Sequence, residues 1–323
     1  MAQNFGREIT AALGVQAASG VVAVAGGYTA IPFYTHGLTR NQSLEEDDVL
    51  GEGHGVAPAE QTQSLIDHGG DLVVPFDLGN VGIWLRGLFG EPVTTEDVED
   101  TDYTHVFKAS AAERPLHTLE IKHKANVLKQ HIDLVVNRFS LSLAREGGYR
   151  RVTIGFRGSN ENKLAASAAG VLLPPVTQDK LLSWRGVVKK AGVEVANIVG
   201  ADLAFSNNFE PWSRPGVKTV AGHDLGKGSF SGQLTARSSD EVLDDLADAG
   251  TLFDLEFLWT IAANKSLSIK AGKVKLAPSS KPVDGPGGLQ QQFSYMASYD
   301  GDEADQGFVV ATLKNQIDSY GIA

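Results

Sequence analysis

A chain of 323 residues, 42% hydrophobic and 21% charged, carries apolar material enough for one large domain or two ordinary ones. Its 39 acidic residues outnumber 28 basic ones, and the net charge of −11 argues against the basic stripe that nucleic-acid binding requires. With no cysteine it can form no disulfide framework, thiolate metal site or cysteine nucleophile.

The N-terminal residues 1–27 read as an arm. The apolar stretch 9–25 ends in Ala23-Val24-Ala25, as a secretory signal would. It is broken by Gly14, Gln16, Ser19 and Gly20, and its leading Arg7 is offset by Glu8, so a poorly ordered or strand-forming arm is expected instead. No apolar run reaches the roughly 18 residues of a membrane-spanning helix, and no membrane partner is expected.

After residues 28–33 (YTAIPF), a connection over 45–70 is long for a link between strands. It starts acidic (Glu45, Glu46, Asp47, Asp48) and turns glycine-rich (Gly51, Gly53, Gly55). A strand over 71–77 leads into a helix over 80–89, with Asn80 as cap, Val81, Trp84, Leu85 and Leu88 on one face, and Gly90 as stop. Period-two alternation then predicts strands at 118–123, 138–143 and 151–156, and later at 230–235, 252–257, 267–270 and 273–276. The second helix is signalled by capping-box spacing from Ser238 to Glu241. Val242, Leu243, Leu246 and Ala249 form its stripe, Gly250 stops it, and the carboxylates between Asp240 and Asp248 form its solvated face. Thirty-six glycines and short strands favour a mainly β sandwich or barrel over a doubly wound sheet.

The order of elements occurs twice. The strand over 71–77 leads into the first helix, as 230–236 leads into the second; residues 38–41 (LTRN) line up with 203–207 (LAFSN). Gly147 to Ile154 line up with Gly287 to Ser294. Two tandem units, 28–165 and 175–317, are expected, with a small-residue, proline-bearing linker at about 166–174.

Signatures of catalysis fail. Residues 222–228 (GHDLGKG) are one residue short of a phosphate loop, and no Ser or Thr follows the lysine. Gly51, Gly53 and Gly55 lack the third spacing of a dinucleotide fingerprint, and 228–232 (GSFSG) has Phe where a nucleophile elbow needs Ser. Among Asp300, Asp302 and Asp305 the glycine sits at the wrong position for a calcium loop, and the bidentate glutamate is missing from its place. His117 and His123 stand too far apart along one strand for a shared metal, so the histidines read as scattered over the surface. No enzyme activity, cofactor or metal site is expected.

Across residues 28–317 these pieces resemble the duplicated-domain family of bacteriophage tail tube proteins. The resemblance implies tandem β-sandwich or barrel domains, each flanked by one helix, whose inner strands close a barrel around a lumen. It further implies trimeric rings of pseudo-sixfold symmetry, stacked into a tube that conducts the genome, with DNA passing without specific binding. The partners implied are further copies of the chain and the tape measure, tail terminator and distal tail proteins. The setting implied is the virion tail, non-contractile and assembled in the host cytoplasm. Glu45, Glu46, Asp47, Asp48, Gly51, Gly53 and Gly55 would belong to the loop that reaches the neighbouring ring. An acidic lumen would repel phosphates. Alternatives are a ring-forming distal tail or hub protein, and an enzyme with dispersed catalytic residues. A β-sandwich binding module is another; it would expose loop aromatics, with Trp184, Trp212 and Tyr320 as candidates.

Overall fold

The computed structural model describes residues 6–47, 49, 57–99, 101–109, 113–124, 126–174, 176–238, 241–281, 283, 285, 287–299 and 308–320. Its first half contains β1 (Thr10–Val15), β2 (Tyr28–Ile31), β3 (Thr35–His36), β4 (Thr39–Asn41), β5 (Leu44–Glu45), β6 (Thr62–Gln63) and β7 (Asp67–Pro75). There follow α1 (Val81–Phe89), β8 (Val93–Val98), β9 (Asp102–Lys108), β10 (His117–Lys124), β11 (Val127–Ala144), β12 (Arg151–Gly158) and β13 (Asn160–Leu164). The second half begins with β14 (Val187–Lys190), β15 (Val193–Glu194), β16 (Ile198–Ser206), β17 (Glu210–Trp212), β18 (Gly222–Asp224) and β19 (Ser229–Arg237). It ends with α2 (Val242–Asp248), β20 (Phe253–Ala262), β21 (Lys265–Leu276), β22 (Gln290–Ser298) and β23 (Val310–Asn315). Among the described residues the fold is mainly β, as the alternation predicts, with two α-helices and a short 3-10 turn at Gly6–Glu8.

Strand pairing follows one plan in both halves. In the first, β1 pairs with β2 and β10, β10 with β11, β11 with β13 and β12, and β12 with β7, which pairs with β3 and β4. In the second, β14 pairs with β15 and β20, β20 with β21, β21 with β23 and β22, and β22 with β19, which pairs with β16. Even the irregularities recur. The register shifts between His117 and Leu119 in β10, and between Phe253 and Leu255 in β20. At these bulges β11 and β21 turn a corner, one end pairing in an outer sheet and the other in a central one. Residues 267–270 and 273–276, expected as separate strands, are therefore the two arms of β21. The two pairing plans match one residue away from the expected alignment. Ile154 opposes Leu72 and Phe293 opposes Leu234, so Phe293, not Ser294, is the counterpart of Ile154. A one-residue slip exchanges the two faces of a strand, and only the partner strand fixes which is right.

The halves are joined by β11 pairing with β16 and by β9 pairing with β23. A continuous antiparallel run, β4–β7–β12–β11–β16–β19–β22–β21, crosses the molecule. One hydrophobic cluster spans both halves and includes Phe76, Trp84, Phe139, Phe230, Phe257 and Trp259. Two buried asparagines bind across the junction. Asn207 Nδ2 donates to the Leu88 and Val136 carbonyls, and Asn315 Nδ2 to the Leu78 carbonyl.

Gly70 and Gly232 hold the fourth position of β7 and β19. There the facing backbone comes so close that a Cβ would lie 2.2 Å from the Gly37 carbonyl oxygen or 1.8 Å from that of Asp202. Gly232→Ala is expected to cost about 1–3 kcal/mol, the range for overpacking. It should lower the urea midpoint without changing the slope; an unchanged midpoint would show that the two strands can separate freely.

The helices start differently from expectation. Asn80 occupies the N-cap position of α1, but its side chain makes no cap bond; the buried Asp77 carboxylate instead accepts the Gly79 and Asn80 backbone N–H groups at 3.1 and 2.7 Å. Of the expected box on α2, Ser239 and Asp240 lie outside the described residues, and Glu241 makes no cap bond. This helix buries Leu243 and Ala247, while Val242 is exposed, because two turns packed on β21 admit only a narrow i, i+4 face. The histidines are corrected too. His68, His105, His117 and His131 are buried, since their strands are covered on faces that local alternation leaves ambiguous.

Candidate functional site

The sheet leaves edges unpaired within the chain. Among the described residues β3 and β4 pair only with β7, and residues 39–41 are exposed throughout. At the far end of the central run the Ala277 N–H donates to the Ser294 carbonyl at 2.8 Å, which continues β21 beside β22 for one residue beyond its end. Unpaired backbone edges of this kind are templates for another strand.

Beside the β3–β4 edge stands the hairpin that the long connection forms. β5 pairs with β6, so part of the expected loop is strand, and β7 starts at Asp67 within it. Glu45 bonds the Ser64 hydroxyl, and Glu46 accepts the Ala59 N–H at 2.5 Å. Gln42 Nε2 donates to the Ser64 carbonyl at 2.8 Å. Asp47 is exposed at the start of the connection; Asp48, Gly51, Gly53 and Gly55 lie outside the described residues. A second hairpin, β17–β18, occupies the same place between β16 and β19, and the two meet where the Ile66 N–H donates to the Lys218 carbonyl at 2.9 Å.

The central run presents one face to the helices and core and the other outward. Alternation puts Ser140, Ser142, Thr153, Gln233, Thr235 and Gln292 outward. The charges on this face of β7, β12, β11, β16, β19, β22 and the C-terminal arm of β21 are Asp67, Asp71 and Asp202 against Arg138, Arg151, Arg157, Arg237, Lys273 and Lys275. Arg138 pairs with Asp71 at 3.4 Å. The face is thus polar and carries more basic than acidic groups; the acidic surplus of the chain is carried elsewhere.

A third surface is apolar. Val21, Val22, Val24, Val171, Leu172 and Leu173 are exposed together, tied by the Gly26 N–H to the Ala169 carbonyl and the Leu173 N–H to the Tyr28 carbonyl, each at 2.8 Å. Such patches on a folded surface mark contact sites. Of the candidate loop aromatics, Trp184 and Trp212 are exposed, with the Arg185 guanidinium over the Trp184 ring at 5.2 Å. Tyr320 is not: it is buried over Gly82 of α1 and its hydroxyl donates to the Gly79 carbonyl at 2.6 Å. Burial pushes its pKa up. Sequence gave no warning, because the glycine that makes room lies far away in the chain.

Among the described residues, one group could hold a metal ion: His68, His131 and Glu161. Burial lowers the pKa of His68 to about 4 and of His131 to about 3, so both rings are neutral at physiological pH. They lie on separate strands at wide sequence spacing, which hides them from any motif search.

Residues 6–297 match the family model described as phage tail tube protein. Among curated proteins none matches the chain.

Proposed function

Because the chain belongs to the phage tail tube protein family, we propose that it is the repeating subunit of a long tail tube, stacking as rings into the conduit that delivers the genome to the host. The observation that carries this reading is the β11–β16 junction. It joins the C-terminal arm of β11 in one repeat to β16, the first central strand of the next. The matching elements at the ends of the chain are the segment after β21 and the β3–β4 edge, and among the described residues neither has that partner. The same junction made between chains would extend the central run from subunit to subunit. Three chains bring six repeats, and a head-to-tail contact closes into a ring when its rotation permits.

The repeats also support tandem domains. We place the first unit from β1 to β13 and the second from β14 to β23. This takes Thr10–Val15 out of the arm, because β1 pairs with β10 as β14 does with β20. Helices, core and junction asparagines lie behind the central run, which leaves its polar outer face to line the lumen. The lining is mostly Ser, Thr and Gln with charges of both signs spread among them, so DNA would slide by low adhesion more than by repulsion. The β5–β6 hairpin with Glu45, Glu46 and Asp47, and the apolar patch at Val171–Leu173, are the surfaces we assign to contact between rings. Partners would be further copies, the tape measure, the tail terminator and the distal tail protein, in a non-contractile virion tail built in the host cytoplasm.

Negative-stain electron microscopy of concentrated, purified chain tests the proposal. Hollow tubes or stacked rings with threefold or pseudo-sixfold projections are expected. A strictly monodisperse monomer at high concentration would sink it.

A further inference from the structure

We propose that His68, His131 and Glu161 form a binding site for one divalent transition-metal ion of the zinc class. They come from β7, β11 and β13 and meet at the corner of the first repeat, where β11 bends through Asp133 with φ 54°. His68 Nε2 and His131 Nδ1 are 2.9 Å apart, and Glu161 Oε2 lies 3.9 Å from His131 Nδ1. All three ligand atoms fall within 4.8 Å of one another. Ligands about 2.0–2.2 Å from a tetrahedral zinc ion stand roughly 3.3 Å apart, so small side-chain shifts bring these three onto one ion. Two imidazoles and a carboxylate suit zinc and its neighbours in the transition series, and leave one position for water.

The surroundings fit a ligand set. The Lys129 ammonium pairs with Glu161 Oε1, which orients the carboxylate and leaves Oε2 toward the histidines. His131 faces Glu161 directly in the β11–β13 register, and His68 faces Gly158 across β7–β12. Gly158 makes room for the ring, since a Cβ there would lie 2.5 Å from His68 Nδ1. Both histidines are 1% exposed. A cleft lined by Thr39, Asn41, Asp67, Asn137 and Arg157 borders His68.

The second repeat serves as an internal control. By position in the matched strands, Phe230 stands for His68. Ala271, opposite Leu255 beside the bulge, stands for His131, which is opposite Leu119. Continuing the Lys270–Val310 register by one residue puts Val309 where Glu161 stands. Phe230, Ala271 and Val309 are apolar and at most 1% exposed. The fold therefore fills this corner with hydrocarbon when nothing else is asked of it. In the first repeat all three positions carry metal-ligand chemistry together.

The full-length chain, stripped with a chelator, would be titrated with Zn2+ by calorimetry and with Co2+ by visible absorption, in parallel with Glu161→Gln and His131→Ala. One ion per chain, tetrahedral Co2+ bands and a rise in melting temperature with Zn2+ are expected. Both variants should lose the bands and bind Zn2+ at least tenfold more weakly. Glu161 lies near the surface, so Glu161→Gln keeps the test sound if His131→Ala fails to fold. Absence of stoichiometric binding in the parent, or unchanged affinity in a folded Glu161→Gln chain, would overturn the site. Tube formation is scored separately and does not bear on it.

Discussion

Arg40→Pro should abolish tubes and rings while leaving the subunit folded. The reason is the direction of one backbone donor. The Gly37 N–H donates to the Asp71 carbonyl at 2.7 Å, and strand geometry alternates, so the Leu38 and Arg40 N–H groups point away from β7 toward the free edge. Proline at 40 removes one of those outward donors and fixes its φ, which an edge strand tolerates but a strand paired on both sides does not. Arg40 is exposed and its guanidinium bonds the nearby Gln42 side chain at 2.7 Å, so the subunit itself loses little. We expect circular dichroism unchanged and stability within about 1 kcal/mol of the parent, the range for surface positions. No polymer should appear at concentrations where the parent, and an Arg40→Ala control, both assemble. Tubes formed by Arg40→Pro at normal yield would show that the β3–β4 edge is not the ring contact.

Trp259→Ala should be the most costly single truncation, at about 3–5 kcal/mol. Trp259 is 1% exposed and meets Phe76 of the first half edge-on at 5.3 Å and Phe257 of the second at 6.3 Å. Its indole also lies against Gly186, where φ is +152° and a Cβ would be 2.6 Å from Nε1. The ring thus fills the space between the two repeats, and alanine would leave a cavity that backbone paired on both sides cannot close. Urea denaturation should show a midpoint well below that of the parent. Separation of one transition into two would mean that this contact couples the halves. A loss under about 1 kcal/mol would mean that the junction is held by β11–β16 and the asparagines alone.

Much of this architecture is legible without coordinates. Alternation of apolar and polar residues is local, so the strands around 118–123, 138–143, 151–156 and 230–235 appear in the chain as they do in the fold. The helix stripe of Trp84, Leu85 and Leu88 and its stop at Gly90 are equally local, and the order of elements shared by the two halves can be read along the chain. Family resemblance adds membership of the phage tail tube proteins, and the match over residues 6–297 bears that out.

What the chain does not reveal is whatever depends on a partner strand. The Ile154–Phe293 equivalence needed the registers against Leu72 and Leu234, because period two is satisfied equally well one residue away on the other face. That β21 is one strand, bent at a bulge, follows from its switching partners between sheets. Burial of Tyr320 over Gly82, and the meeting of His68, His131 and Glu161, join residues from distant parts of the chain. Local sequence determines which residues can form a strand or helix, through propensities and periodicities a few residues long. Tertiary structure decides which face is covered and which distant groups meet, because those depend on the pairing of the whole sheet.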